Sequence, residues 1–329
     1  MPDDKGDDYL WDKSGPADPD VQRLEELLAP LRHDAPLDEL KLKRSRRRLP
    51  WIVIGVAVAA AAAIAIFVAL PKHPSSTCRG GKGFAFSGQG GDVSCGGARV
   101  ANGVLPVGGQ LDTGAHAASL TIADIGVAEL GTHTRVRLER TDSERHQLAL
   151  ERGHMHAKVN APPRLFAVTT PHTSVVDLGC EYTIEIDDAG AGSIYVRIGS
   201  VELAAPGGAL VVAPAGTRTT LLAGQRPGLP VGHSANPKVR AAVTAYEHGD
   251  PAAVDALLAA AEDKDAITLI ALAAVDDAHR ATVLARLVEL SPPPDAEITV
   301  DTAMRDPDKL ASWRTDIVDV YIYIWAPKI

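Results

Sequence analysis

Residues 51–70 read WIVIGVAVAAAAAIAIFVAL, twenty positions without a charged or strongly polar side chain. An α-helix rises about 1.5 Å per residue, so this segment would be about 30 Å long, the thickness of the hydrocarbon core of a bilayer. A soluble core helix seldom stays apolar on every face over such a length, and a cleaved signal peptide would lie nearer the N-terminus. We therefore predict a single transmembrane helix within residues 49–71.

Basic residues are concentrated on one side of this apolar segment. Within the ten residues that follow it, only Lys72 and Arg79 are basic. By the positive-inside rule, the N-terminus is predicted to be cytoplasmic and the larger C-terminal part periplasmic, which places the protein in the inner membrane. The basic cluster could also bind nucleic acid, but the net charge of −9 argues against that partner. The six basic residues that precede the segment are Lys41, Lys43, Arg44, Arg46, Arg47 and Arg48.

The predicted cytoplasmic tail, residues 1–48, is acidic and too short to bury a core of its own. One amphipathic helix is expected after Asp18 and Pro19, which suit the N-cap and the first helical position. We predict that a cytoplasmic protein partner binds its apolar stripe in a groove, together with Trp11 upstream. A solvated tail with transient helicity is the alternative. The stripe consists of Val21, Leu24, Leu27, Leu28 and Leu31.

The three cysteines all follow the apolar segment, in what would be an oxidising compartment of a bacterial periplasm. Cys78 and Cys95 flank a Gly-rich segment, and closing a loop of this size stabilises a fold by about 3 kcal/mol in the entropic model. We predict a disulfide between them. Cys180 lies in the alternating stretch DLGCEYTIEI, which predicts a buried small hydrophobic side chain and not a nucleophile.

A Gly/Ser/Pro-rich linker is predicted over residues 72–100, followed by a β-rich domain over residues 101–230. Short alternating runs such as TRVRLER, HMHAKV and IYVRI are separated there by glycines. Runs of this length with turn residues between them are typical of an all-β sandwich, barrel or solenoid.

Several short motifs occur in a characteristic order in the β-rich segment. They are Gly108-Gly109-Gln110-Leu111, Thr113-Gly114, Leu150-x-x-Gly153, Val168-x-Thr170-Pro171, Val176-Asp177-Leu178-Gly179-Cys180-Glu181-Tyr182-Thr183-Ile184, Val196-x-x-Gly199-x-Val201-x-Leu203 and Pro214-Ala215-Gly216. This order resembles the extracytoplasmic domain of FecR-family regulators, which are single-pass proteins that act with sigma factors.

The resemblance implies a β-sandwich or β-helical binding module without catalytic activity or a cofactor. It also implies three kinds of partner: a cytoplasmic protein of the sigma-factor type, an extracytoplasmic protein or envelope ligand, and the lipid bilayer. In the family the long strand commonly reads Leu-Gly-Thr before the aromatic residue, and Cys180 replaces that threonine here. The tail is shorter than the usual anti-sigma region, which leaves direct binding of a sigma factor open.

The pair His154 and His156 is the best sequence candidate for a metal site, as in cupin-type enzymes. Met155 and Ala157 alternate with it and suit a core, so the histidines are expected to face solvent and no metal site is predicted. The stretch Arg79-Gly80-Gly81-Lys82-Gly83 lacks the spacing of a phosphate loop and is expected to belong to the linker.

The last segment, residues 231–329, returns to helical periodicity. Asn236-Pro237, Asp250-Pro251 and Asp306-Pro307 each suit an N-cap followed by a first-turn proline, and four Ala/Leu-rich helices with short loops predict an α-helical hairpin domain. The apolar run 318–325 could be a strand added to the β-domain or a packing tail.

Together these features predict a membrane-anchored regulator that couples an extracytoplasmic cue to a cytoplasmic partner. The second hypothesis is a membrane-anchored envelope scaffold or binding protein, whose β-domain holds a polysaccharide or another envelope protein and whose tail has no regulatory role.

Overall fold

The computed structural model describes Cys78, residues 81–205, Gly208 and residues 210–328. The predicted membrane segment 51–70 lies outside these residues. Within them, no helix combines the length and the apolar character that crossing a bilayer demands.

The first part of this region is built almost entirely from β-strands, as the alternating sequence predicts. The strands are β1 (Gly83–Gln89), β2 (Val93–Cys95), β3 (Ala98–Val100), β4 (Asn102–Pro106), β5 (Gln110–Asp112), β6 (Ala117–Ile122), β7 (Gly126–Leu130), β8 (Arg135–Thr141), β9 (His146–Val159), β10 (Phe166–Thr169), β11 (Ser174–Asp177), β12 (Glu181–Ile186), β13 (Gly192–Ile198), β14 (Ser200–Ala204), β15 (Leu210–Pro214), β16 (Thr217–Leu221) and β17 (Val231–Gly232).

These strands pair in two sheets that share one strand. The first sheet has the order β4-β1-β6-β7-β9-β12-β13-β16-β17. The second has the order β3-β2-β5-β8-β9-β10-β11-β14-β15. All pairings are antiparallel except that of β9 with β10.

Strand β9 belongs to both sheets because it bends in the middle. Its first half pairs with β8 and β10, and its second half, from Gly153 onward, pairs with β7 and β12. Gly153 has φ +98°, and a Cβ atom there would overlap the Cα atom of Thr134. Only glycine satisfies both conditions, so Gly153 forms the corner of the fold.

The hydrophobic core lies between the inward faces of the two sheets and continues into the helices. Alternation brings every second side chain of a strand into it, as in β12, where Tyr182 and Ile184 are fully buried. Glu181 falls on the opposite face of β12 by the same alternation, yet it is buried, and Asp177 is buried on the same face of β11 as Val175.

Six α-helices follow the strands. They are α1 (Pro237–Glu247), α2 (Ala253–Ala260), α3 (Ala266–Val275), α4 (Arg280–Leu290), α5 (Val300–Arg305) and α6 (Pro307–Ile324). The four predicted helices correspond to α1–α4, and a mostly β region followed by C-terminal helices is confirmed. Asn236 and Asp306 are the N-caps of α1 and α6 and accept backbone hydrogen bonds there, as two of the three Asn/Asp-Pro pairs predict. The third prediction is wrong, because α2 begins at Ala253 with Ala252 as its N-cap, and Asp250 instead accepts the backbone N–H of Ala252 in the preceding turn.

Helix α3 explains how the helices attach to the strands. Its first eight residues are all buried, because β15 and β17 lie on one side of it and α4 and α6 on the other. The helices and strands therefore form one compact unit, residues 71–329. The predicted boundary between residues 230 and 231 is a change of secondary structure inside that unit.

The run 318–325 is neither a strand nor an irregular tail. Residues up to Ile324 form the end of α6, and Val318 and Tyr321, one helical turn apart, are buried in the core. The β-branched and aromatic residues of this run favour a strand locally, but packing against α3 and β15 outweighs that preference.

The prediction of a linker over residues 72–100 is wrong from Gly83 onward. Strand β1 has a simple alternation in which Phe84 and Phe86 are buried, and it pairs with both β4 and β6. The glycines that suggest a linker allow close strand packing instead, since a Cβ at Gly83 would overlap the carbonyl oxygen of Leu105.

Cys78 and Cys95 form a disulfide, with their Cα atoms 6.1 Å apart. Cys95 ends β2, and the backbone oxygen of Cys78 accepts a hydrogen bond from the amide of Val104 on β4, at 3.2 Å. The first described residue is therefore held to two strands of the β-region.

Trp313 tests whether the helices and strands share one core. It is fully buried, and its indole N–H donates to the carbonyl oxygen of Ser291 at 3.1 Å. Trp313→Ala should lower the free energy of unfolding of segment 71–329 by about 3–5 kcal/mol, measured by urea denaturation. Trp325→Ala, at a position that is 36% exposed, is the control and should cost about 1 kcal/mol or less. A small loss for Trp313→Ala would contradict the shared core.

Candidate ligand-binding cleft

The residues predicted to bind a cytoplasmic partner all lie outside the described residues. They are Trp11, Leu24, Leu27, Leu28 and Leu31. Their role therefore stays a prediction, and the site described below belongs to the C-terminal unit.

The described residues enclose a cleft of about 900 Å³ where three loops meet. One loop follows β16 and includes Arg226, the second joins α1 to α2, and the third joins α3 to α4. We call this the three-loop cleft. Its size falls within the range of about 300–1,000 Å³ that is usual for ligand-binding pockets.

A chain of polar contacts crosses the floor of the three-loop cleft. The guanidinium carbon of Arg226 lies 4.8 Å from the centre of the Tyr246 ring. The Tyr246 hydroxyl donates to a carboxylate oxygen of Asp276 at 2.9 Å, and the Nδ1 atom of His279 lies 3.0 Å from the same oxygen. Asp276 thus connects the last turn of α1 to the third loop.

These contacts decide which groups in the cleft carry charge. Burial opposes ionisation of Asp276, but hydrogen bonds from His279 and Tyr246 outweigh it and hold the pKa of Asp276 below its usual value. Burial and the neighbouring Asp276 raise the pKa of Tyr246. At neutral pH the cleft therefore presents an ionised carboxylate beside a neutral phenol.

Glu247 lies at the end of α1 and faces the first loop. Its Oε1 atom accepts a hydrogen bond from the backbone N–H of Leu229 at 3.1 Å. Burial raises the pKa of Glu247 despite this contact and the nearby charge of Arg226. The carboxylate links the helical layer to the β16–β17 connection. Because its pKa is raised, its ionised form lowers the stability of the folded protein.

A second polar cluster lies on the outer face of the first sheet. Glu181 is 4% exposed, and its Oε1 atom lies 2.5 Å from Arg197 and 3.2 Å from the Nε2 atom of His156. Burial opposes ionisation of Glu181, but Arg197 outweighs it and lowers the pKa. The Nδ1 atom of His156 lies 3.0 Å from the Thr183 hydroxyl. The cluster ties β9, β12 and β13 together.

The histidine pair on β9 has the orientation that the alternation predicts. His154 is exposed and His156 half-buried, whereas Met155 and Ala157 are fully buried. Among the residues that the structure describes, no three potential metal ligands lie close enough together to hold an ion.

Cys180 is buried, as predicted, and its thiol donates to an oxygen of Asp177 at 2.7 Å. The other oxygen of Asp177 accepts the backbone N–H of Gly179 at 2.6 Å. Burial and the adjacent Asp177 both raise the pKa of the Cys180 thiol. A protonated thiol in this position shapes the turn between β11 and β12 and is a poor nucleophile.

The three-loop cleft has no signature in the sequence. Its polar residues come from three loops that are separated by whole helices, and no spacing rule joins Arg226 to Tyr246 or Asp276. The only local signals are helix ends, such as Gly249 after α1, which has φ +81°. The site becomes visible only when the fold places the three loops side by side.

Comparison with known proteins supports the resemblance seen in the sequence. Residues 110–202 match the family model described as FecR protein, so that resemblance is confirmed over the strands β5–β14. No curated protein sequence matches the chain.

Two solved crystal structures of a candidate anti-sigma factor from Parabacteroides distasonis are also similar. Each shares 20% identity and a TM-score of 0.34 with this chain and covers 43% of it. The match spans 65% of one solved chain and 64% of the other, slightly under two thirds of their lengths.

Glu247→Gln tests the cost of the buried carboxylate in the cleft. Because the pKa of Glu247 is raised in the folded state, ionisation destabilises the fold once the pH exceeds the unfolded-state value of about 4.3. The variant keeps an oxygen for the Leu229 amide, so segment 71–329 should unfold at a higher urea concentration than wild type at pH 7. The difference should vanish near pH 3.5, where both states bind the proton.

Glu185→Gln, at an exposed position on β12, is the matched control. Its urea midpoint should match that of the wild type at both pH values. A lower urea midpoint for Glu247→Gln at pH 7 would contradict the raised pKa.

Proposed function

Because residues 110–202 match the FecR family, we propose that this protein is a single-pass inner-membrane signalling regulator. Its body, residues 71–329, receives a cue outside the cytoplasm. Its N-terminal tail acts on a cytoplasmic protein partner of the sigma-factor type. It works by exchanging partners and not by catalysis.

The single observation that carries this proposal is the FecR match, which covers the strands on both sides of the Gly153 corner. The apolar segment 51–70 and the basic residues before it support the membrane placement. The Cys78–Cys95 disulfide supports an oxidising compartment for the body, since such bonds are rare in the cytosol.

The tail supports the choice of a protein partner. Its Leu stripe needs an apolar surface to bury against, and its acidic flanks disfavour an anionic lipid surface. A groove on a protein satisfies both conditions.

Leu24→Asp combined with Leu28→Asp tests this docking helix. Two carboxylates in the centre of the apolar stripe should abolish capture of the cytoplasmic partner by the full-length protein in a detergent pull-down. Gln22→Asp combined with Ala29→Asp adds the same charge on the opposite face of the helix and should leave capture intact. Equal capture by both double variants would remove the docking helix and favour the envelope scaffold.

A further inference from the structure

We propose that the three-loop cleft binds a basic side chain, arginine or lysine, from a segment of an extracytoplasmic protein. In the free protein, Arg226 occupies the place on the Tyr246 ring that this side chain would take. The inference deepens the proposed function by naming the ligand of the outer body. It rests on the proposed function in one respect only, namely that binding of this ligand is the cue that the regulator receives.

The position of Arg226 shows that the cleft accepts a cation. Its guanidinium lies over the face of the Tyr246 ring, where the ring's quadrupole attracts positive charge. Among the described residues, no carboxylate lies within ion-pair distance of Arg226, although the charge of Glu247 is nearby. The guanidinium is thus held by the ring and by a longer-range attraction to Glu247, contacts weak enough for a competing cation to replace.

The loop that carries Arg226 makes this replacement possible. Ala223, Gly224 and Gln225, which precede it, are all exposed, and Gly224 has φ +67°. Arg226 itself is half-buried, so swinging it into solvent exposes its guanidinium without removing a core side chain. The ring of Tyr246 stays in place, because its hydroxyl remains bonded to Asp276.

The charge around the position favours a cation over an anion. Asp276 is ionised, and Asp250, which also lines the cleft, is exposed. The helix ends give no net preference, because the C-termini of α1 and α3 and the N-termini of α2 and α4 meet at the same loops. Asp277 contributes little, because it pairs with Arg280. Once Arg226 leaves, the cleft has an aromatic face, the carboxyl groups of Asp250, Asp276 and Glu247, and no lysine or arginine among its described lining residues.

The size of the cleft indicates more than a single ion. A volume of about 900 Å³ accommodates a basic side chain together with several residues of the segment that carries it. An extended protein segment fits this space and chemistry.

Fluorescence polarisation with a labelled tetra-arginine peptide, on the full-length protein in detergent, tests the inference. Arg226→Ala removes the internal competitor and should tighten binding by about tenfold. Arg218→Ala is the matched control, since Arg218 lies 5.6 Å from the Tyr195 ring on the β-sheet, away from the cleft, and it should leave the affinity unchanged. The acidic tail also attracts the peptide, but it is the same in both variants. The test is therefore the difference in peptide affinity between Arg226→Ala and Arg218→Ala.

Tyr246 separates the role of the ring from that of the hydroxyl. In the Arg226→Ala background, Tyr246→Leu should cancel the gain in affinity, whereas Tyr246→Phe should keep most of it. A tetra-glutamate peptide should show no tightening in any variant. The inference is overturned if Arg226→Ala and Arg218→Ala bind tetra-arginine equally, or if the gain survives Tyr246→Leu in a protein with an unchanged circular dichroism spectrum.

This outcome is independent of the cytoplasmic tail. Tightened binding without capture of a cytoplasmic partner would refute the regulator and leave the cation site standing. Capture without tightened binding would refute the cation site alone.

Discussion

The fold depends on the bend of β9 at Gly153. One strand must supply inward side chains to two sheets. Before the bend its even-numbered residues face the core, and after the bend its odd-numbered residues do so. His146, Leu148 and Leu150 face inward before it, whereas Met155 and Ala157 do so after it. A regular strand cannot change parity, so the corner needs an irregular residue.

The corner is fixed by two buried threonines as well as by glycine. The Thr134 hydroxyl accepts the backbone N–H of His154 at 3.0 Å and donates to the carbonyl oxygen of that residue at 3.1 Å. The hydroxyl of Thr113 accepts the N–H of Thr134 at 2.9 Å and donates to the carbonyl oxygen of Gly131 at 2.7 Å. Two motifs of the FecR-like pattern, Thr113-Gly114 and Leu150-x-x-Gly153, therefore have a structural role in joining the sheets.

The sequence predicts those parts of the structure that depend on local pattern. Alternation gives the strands and places Cys180 inside, and the Asn/Asp-Pro pairs give the starts of α1 and α6. Local pattern fails where distant packing decides. Gly83–Gln89 is a strand because β4 and β6 flank it, and Glu181 is buried because Arg197 on the neighbouring strand supplies its charge partner. The three-loop cleft is beyond sequence reasoning for the same reason, since it arises from loops brought together by α3.

The proposed function places a bilayer between a small acidic tail and the body that contains the cleft. The most direct measurement is an alkaline phosphatase fusion, because this enzyme is active only where disulfides form. Fused after Ile329, it should be active in intact bacteria, and fused after Arg48 it should be inactive. An inactive fusion after Ile329, with full-length protein present, would contradict the account.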